Sequence, residues 1–265
     1  MTPVFELNSV CAGYGGEPVL RNLSMAVGTG EFVSIIGPNG AGKSTLIKVL
    51  DGTIAPTEGS ICFKSREIRE YSPRDAARGF SVVHQMTESI VPFSVYDFVR
   101  LGRFPHQGLF EIETAQDREA IDWAAGVTGI TGLLKRSLTD LSGGELQLVR
   151  IAHALAQNHS IILLDEPISH LDIRHSIMIM DILHRLNRTG STVVAVLHDI
   201  NVASDYSSRI VGIKRGGVFF DGPPGSVITY AFMEELFGTR CIVLENPRPF
   251  VYPVPGYVEG RENGD

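Results

Sequence analysis

The sequence predicts an α/β protein with a mainly parallel sheet, an antiparallel β subdomain at its N-terminus and an inserted helical subdomain. Three observations carry that expectation. Short apolar, strand-like runs at 32–36, 60–63, 80–83, 161–164, 192–197 and 210–213 are in several places separated by stretches of helical spacing. Apolar alternation over 4–10 and 20–27, punctuated by Gly13, Gly15, Gly16 and Gly28, has the grammar of antiparallel strands joined by turns. From about Glu88 to Asn158 the pattern is helical almost throughout, with no run as strand-like as 161–164. The chain is therefore expected to be one domain: an α/β core over 1–87 and 159–238, a helical subdomain over 88–158, and a short Pro-rich extension over 239–265 with a frayed polar tail.

Composition narrows the class from another side. The 265 residues are 43% hydrophobic and 20% charged, the proportions of an ordinary globular protein and not of a disordered chain or a fibre. No stretch approaches the roughly 18 apolar residues that a membrane-spanning helix needs. The N-terminal residues lack the basic and apolar regions of a secretory signal, so the chain is expected to stay in the cytoplasm. Cys11, Cys62 and Cys241 are odd in number and widely spaced, which reads as reduced thiols without a disulfide framework or a zinc site. With 23 basic against 30 acidic side chains the net charge is -7, which offers no footprint for non-specific nucleic-acid binding.

The chemistry begins at the turn after run 32–36. Gly37, Pro38, Asn39, Gly40, Ala41, Gly42, Lys43, Ser44 and Thr45 fit the pattern G-x-x-x-x-G-K-[ST] between a buried strand and a helix. There the backbone N–H groups of the turn and of the helix start face phosphate, and Gly40 and Gly42 let the backbone approach it closely. Lys43 is expected to reach the β- and γ-phosphates and Ser44 to bind Mg²⁺. The apolar run 161–164 ends in Asp165 and Glu166, two carboxylates at the edge of the sheet where ligands bind. Asp165 would hold Mg²⁺ through water and Glu166 would act as general base on the attacking water.

Leu141-Ser-Gly-Gly-Glu145 opens an apolar helical stretch, and Ser142 with Glu145 fits a capping box. Two glycines in a first helical turn are costly unless something must come close, which makes Gly143 and Gly144 a second candidate phosphate site. In this order, with His198 after run 192–197, the motifs resemble those of the ATP-binding cassette (ABC) ATPases, the nucleotide-binding subunits of ABC transporters. The resemblance covers about residues 4–255 and implies a P-loop NTPase core with an inserted helical signature subdomain.

The resemblance implies more than the residues alone do. Two copies would form a head-to-tail dimer with two ATP molecules sandwiched between them. Ser142 and Gly144 would then contact the partner's γ-phosphate, and Asp172 would act across the interface. Gln85 matches the glutamine that joins Mg²⁺ and the attacking water to the membrane-facing side, His198 the histidine that binds the γ-phosphate, and Tyr14 the aromatic that stacks on adenine. Departures from the pattern fall at His84, Leu148 and His153, and bear on helix-surface contacts rather than on hydrolysis.

Residues 71–78, 99–106, 169–173, 221–224 and 236–238 together look like the ATPase subunits of importers for iron-siderophore, haem and cobalamin complexes. Arg103, within 99–106, also reads as a helix-end cation ahead of Pro105. Two permease subunits and, indirectly, a substrate-binding protein are the implied partners, at the cytoplasmic face of the cell membrane. Gln85 and residues 90–93 would either receive a short permease helix or cap the core of the helical subdomain. The rival reading is a soluble ABC ATPase serving as a scaffold in metal-cofactor assembly; an exporter subunit is disfavoured by the importer-like stretches.

Overall fold

In the computed structural model, which describes residues 3–85, 92–108, 113–245 and 247–254, the N-terminal alternation becomes an antiparallel sheet. Strands β1 (Pro3–Ala12), β2 (Leu20–Gly28), β4 (Glu58–Phe63) and β5 (Arg66–Glu67) lie in the order β2-β1-β4-β5. Phe5, Leu7 and Val10 of β1 and Leu20, Leu23 and Val27 of β2 are buried, and Phe5 meets Phe63 with ring centroids 5.1 Å apart. Between β2 and β4, β3 (Phe32–Ile36) is buried at every residue and runs through a turn into α1 (Lys43–Leu50). These elements belong to a compact unit formed by Met1–Ile68 and Val194–Asp265; a second unit comprises Arg69–Val193.

The second unit contains α2 (Pro73–Gly79), β6 (Ser81–Val83), α3 (Val95–Leu101), α4 (Ala115–Thr128), α5 (Gly143–Gln157), β7 (Ile161–Asp165) and α6 (Ile173–Arg188). Each helix starts where a short polar side chain accepts from the third helical N–H: Ser72, Ser94, Thr114, Ser142 and Asp172. Strands β6 and β7 pair in parallel, and α5 buries Leu146, Val149, Ile151, Ala152 and Leu155. Leu148 is also buried, and His153 bonds the Phe98 carbonyl through Nδ1 at 2.9 Å. Two of the three departures, Leu148 and His153, thus face inward, which corrects the expectation of helix-surface contacts there, while His84 is exposed.

Arg103, expected as a helix-end cation, lies just past the end of α3 and is paired in the interior. Its side chain is buried, Nε lies 2.9 Å from Asp117 Oδ1, and Nη1 donates to the Ala156 carbonyl at 2.7 Å. Burial pushes the Asp117 carboxyl up, but hydrogen bonds from Arg103, the Thr114 main chain and hydroxyl, and Gln107 outweigh it and bring its pKa to about 2 from 3.8. A depressed carboxylate stabilises the fold above its unfolded pKa and ceases to do so as pH falls through the folded one. The expected contribution at neutral pH is about 2 kcal/mol. Urea unfolding of Asp117→Asn against wild type is expected to show a deficit of that order at pH 7 that narrows from pH 5 toward pH 2; a deficit independent of pH would refute the assignment.

Strand β8 (Thr192–Val196), fully buried, crosses from the second unit to the first. The first unit then continues with α7 (Ile200–Tyr206), β9 (Arg209–Lys214), β10 (Gly217–Gly222), α8 (Pro224–Val227), α9 (Tyr230–Phe237), β11 (Cys241–Glu245) and β12 (Pro249–Pro253). Strands β3 and β9 pair in parallel, while β10 returns antiparallel to β9. Within the Pro-rich stretch after Gly238, β11 and β12 form an antiparallel hairpin. Cys11, Cys62 and Cys241 are not joined in disulfides. No helix among the described residues is long and apolar enough to cross a membrane.

Candidate nucleotide site

In the first unit the turn from β3 to α1 is shaped for an anion. Gly42 sits at φ +104, where an L side chain is strained, and a Cβ there would also press on the Leu20 side chain. It is the N-cap of α1, and no side chain caps that helix. Lys43 is almost fully buried, and its Nζ donates to the Gly37 and Pro38 carbonyls at 2.8 and 3.0 Å. A helix start without a capping side chain and an ammonium curled back over the turn provide the donors and charge that a polyphosphate needs. Ser44 follows Lys43 in the first turn of α1, and the buried Thr45 donates from its hydroxyl to Tyr14 Oη at 3.5 Å.

Tyr14 lies in the β1–β2 connection, with 61% of its surface exposed. Lys48 Nζ is 5.2 Å from its ring centroid, so a base stacked there would meet an aromatic face beside a cation. His198 is exposed where the chain leaves β8 for α7.

In the second unit, β7 delivers Asp165 buried and Glu166 half-buried. Glu166 has φ +53, a left-handed conformation that costs a side-chain-bearing residue about 1 kcal/mol or more. Its carboxylate accepts from Gln85 Nε2 at 3.0 Å and from Ser169 Oγ at 3.1 Å. Gln85 is the last described residue before a gap at 86–91, so Ile90 lies outside the described residues; Phe93 is described and partly exposed. The donors assigned to Mg²⁺, the Ser44 hydroxyl, the Gln85 amide oxygen and the Asp165 carboxylate, are all oxygens, the set that this cation takes.

Ser142 caps α5 with a complete capping box: its Oγ accepts from Glu145 N–H at 3.3 Å, and Glu145 Oε2 accepts from Ser142 N–H at 2.8 Å. The Ser142 N–H and then its hydroxyl, which also donates to Glu145 Oε2 at 2.8 Å, hold the Glu145 carboxyl below the usual range. The space over Gly143 is open, whereas a Cβ on Gly144 would run into the His175 ring. The close approach expected at Gly144 is therefore met, within this chain, by an imidazole.

His175 is the residue that sequence reasoning passed over. Its N–H and Nδ1 both bond the Asp172 carboxylate, each at 2.8 Å, and these bonds lower the Asp172 pKa. Asp172, the N-cap of α6, and Gly144, in the first turn of α5, are thus joined through one ring. Gln147 adds a second tie by donating to the Pro167 carbonyl at 3.0 Å. Neither residue was singled out from the sequence as part of the site. Gly144→Ala is expected to displace the His175 ring and lower stability by about 1–3 kcal/mol, while Gly143→Ala leaves the melting temperature near wild type. Equal melting temperatures for the two variants would refute the contact.

Comparison with known proteins places this arrangement. A family profile described as "ABC transporter" matches residues 20–169. The ferric enterobactin transport ATP-binding protein FepC of Escherichia coli (strain K12) is 38% identical over 91% of this chain and 91% of its own length. The hemin import ATP-binding protein HmuV of Rhodopseudomonas palustris (strain HaA2) is 37% identical over 96% of this chain and 98% of its own. Among solved structures, a metal-chelate type ABC transporter in an inward-facing conformation matches with a TM-score of 0.83 at 25% identity, covering 96% of this chain and 98% of that one. The dimeric ATP-binding cassette MJ0796 bound to ADP and Pi matches with a TM-score of 0.71 at 30% identity, covering 83% and 98%. With its phosphate loop, its signature helix and relatives that match it along most of its length, the chain belongs to the ABC transporter family as an ATP-hydrolysing subunit.

Proposed function

We propose that this chain powers an importer for iron chelates such as siderophore complexes or haem, working as a pair of copies on two permease subunits at the cytoplasmic membrane face. Full-length similarity to import ATPases supports that reading over the scaffold alternative, and the dimeric cassette supports the pairing. Cobalamin shares the branch resemblance and stays within the proposed substrate class. The observation that carries the catalytic reading is Glu166 at φ +53 with Gln85 on its carboxylate, a general base aimed by a strained backbone and a neighbouring amide.

The roles combine what the family resemblance implies with the local geometry of each part. The turn 37–42 and Lys43 hold the phosphates, and Tyr14 offers its exposed ring to adenine. Glu166 takes the proton of the attacking water; the oxygen bonds to the γ-phosphorus, the bond to the ADP oxygen breaks, and His198 steadies the γ-phosphate oxygens. Ser44, Gln85 and, through water, Asp165 would each offer an oxygen to Mg²⁺, which when bound would supply positive charge to offset the phosphates. Ser142, Gly143, Gly144 and Asp172 would serve the partner's nucleotide.

Affinity capture of the tagged chain from detergent-solubilised native membranes, followed by mass spectrometry, tests the transport reading. A polytopic permease is expected to come with it; a soluble partner without any membrane protein would overturn the proposal.

A further inference from the structure

His198 and Asp199 link β8 to α7, and the supports of that link are unevenly placed. Upstream, Leu197 N–H donates to the Ile35 carbonyl at 3.0 Å. Downstream, the Asp199 carboxylate accepts from the N–H groups of Asn201 and Val202 at 2.8 and 3.1 Å. Alongside lies a cavity of about 220 Å³, with His198, Asn201, Phe237, Cys241 and Val251 in its wall. On that side His198 stands at an open cleft and not against packed side chains, so hydrogen bonds carry more of the positioning there.

Asn201 supplies two bonds that tie the start of α7 to the C-terminal hairpin. Its Oδ1 accepts from Val251 N–H at 2.7 Å and its Nδ2 donates to the Val251 carbonyl at 3.2 Å, so one amide pairs with β12 as a neighbouring strand would. Further along α7, Ser204 Oγ donates to the Pro249 carbonyl at 2.7 Å. Arg248 Nη1 donates to the Ser204 and Ser207 carbonyls at 2.5 and 3.3 Å. The C-terminal hairpin is thus stitched to the helix that begins immediately beyond His198.

We infer that Asn201 is a positioning residue for His198, and that its paired bonds to Val251 let the β11–β12 hairpin set where the β8–α7 link stands. The inference rests on the γ-phosphate role proposed for His198. Loss of the amide frees the link to move into the cavity, and misplacement of a catalytic group by about 1 Å costs up to about 100-fold in rate.

A double-mutant cycle on the purified full chain separates positioning from general support. Asn201→Ala is expected to lower ATPase kcat about 10-fold with KM for ATP near wild type, alongside a lower melting temperature from the two bonds lost to Val251. In a His198→Ala background the same change is expected to have no further effect on kcat, because the group it positions is gone. Arg248→Ala, which leaves Asn201 intact, is expected to show a smaller loss that vanishes in the same background, and keeps the test open if Asn201→Ala folds poorly. Equal fold losses with and without His198, or wild-type turnover in both variants, overturn the positioning role. Normal turnover in His198→Ala alone overturns instead the reading of His198 on which it depends.

Discussion

Glu166→Gln is expected to bind ATP as the wild type does while losing turnover by about 10²–10⁴-fold, the range associated with removal of a general base. Glutamine keeps the shape of the side chain and can still accept from Gln85 and Ser169, which bond the carboxylate at 3.0 and 3.1 Å. What it cannot do is take the proton of the attacking water. Phosphate release and binding of a fluorescent ATP analogue, measured on the same preparation, check the two halves, and normal turnover would refute the assignment. Glu166→Gly separates chemistry from strain. Glycine relieves the left-handed backbone at φ +53, so this variant is expected to be inactive yet at least as stable as wild type, by up to about 1 kcal/mol. Together the two variants ask whether stability is given up at this residue for the sake of the reaction.

Much of the core was legible because each strand obeys a local rule. The apolar runs before Gly37 and before Asp165 are strands buried at every residue, and the helix after Gly42 begins at Lys43 as the phosphate-loop pattern requires. The hairpin near the C-terminus was not legible, since prolines argue against strands. Here Pro249 and Pro253 share the edge of β12 on which Val251 points its N–H away from β11 and toward Asn201, so no ladder bond is lost. The contacts of His175 and Gln147 were hidden for another reason. Each joins residues far apart in sequence, His175 to Gly144 and Gln147 to Pro167, and neither has a spacing that a motif could record. Arg103 reads as a helix-end cation from its neighbours alone; its partner Asp117 belongs to the next helix, beyond any local pattern.

The other large effect is expected at Lys43, where both truncation and the change that conserves charge should fail. Its ammonium is almost fully buried and bonded to the carbonyls of Gly37 and Pro38, so it stands inside the curl of the turn and not on its rim. Lys43→Ala removes the charge and leaves two carbonyls without that donor; kcat/KM for ATP is expected to fall by about 100-fold or more, with weakened nucleotide binding. Lys43→Arg keeps the charge but brings a planar fork that the space of a compact ammonium does not admit. The arginine variant is therefore expected to bind ATP nearly as poorly as the alanine one, while both keep a cooperative thermal transition because the apolar core around α1 is untouched. Near wild-type binding in Lys43→Arg would mean that long-range charge, not placement within the turn, is what the phosphates require.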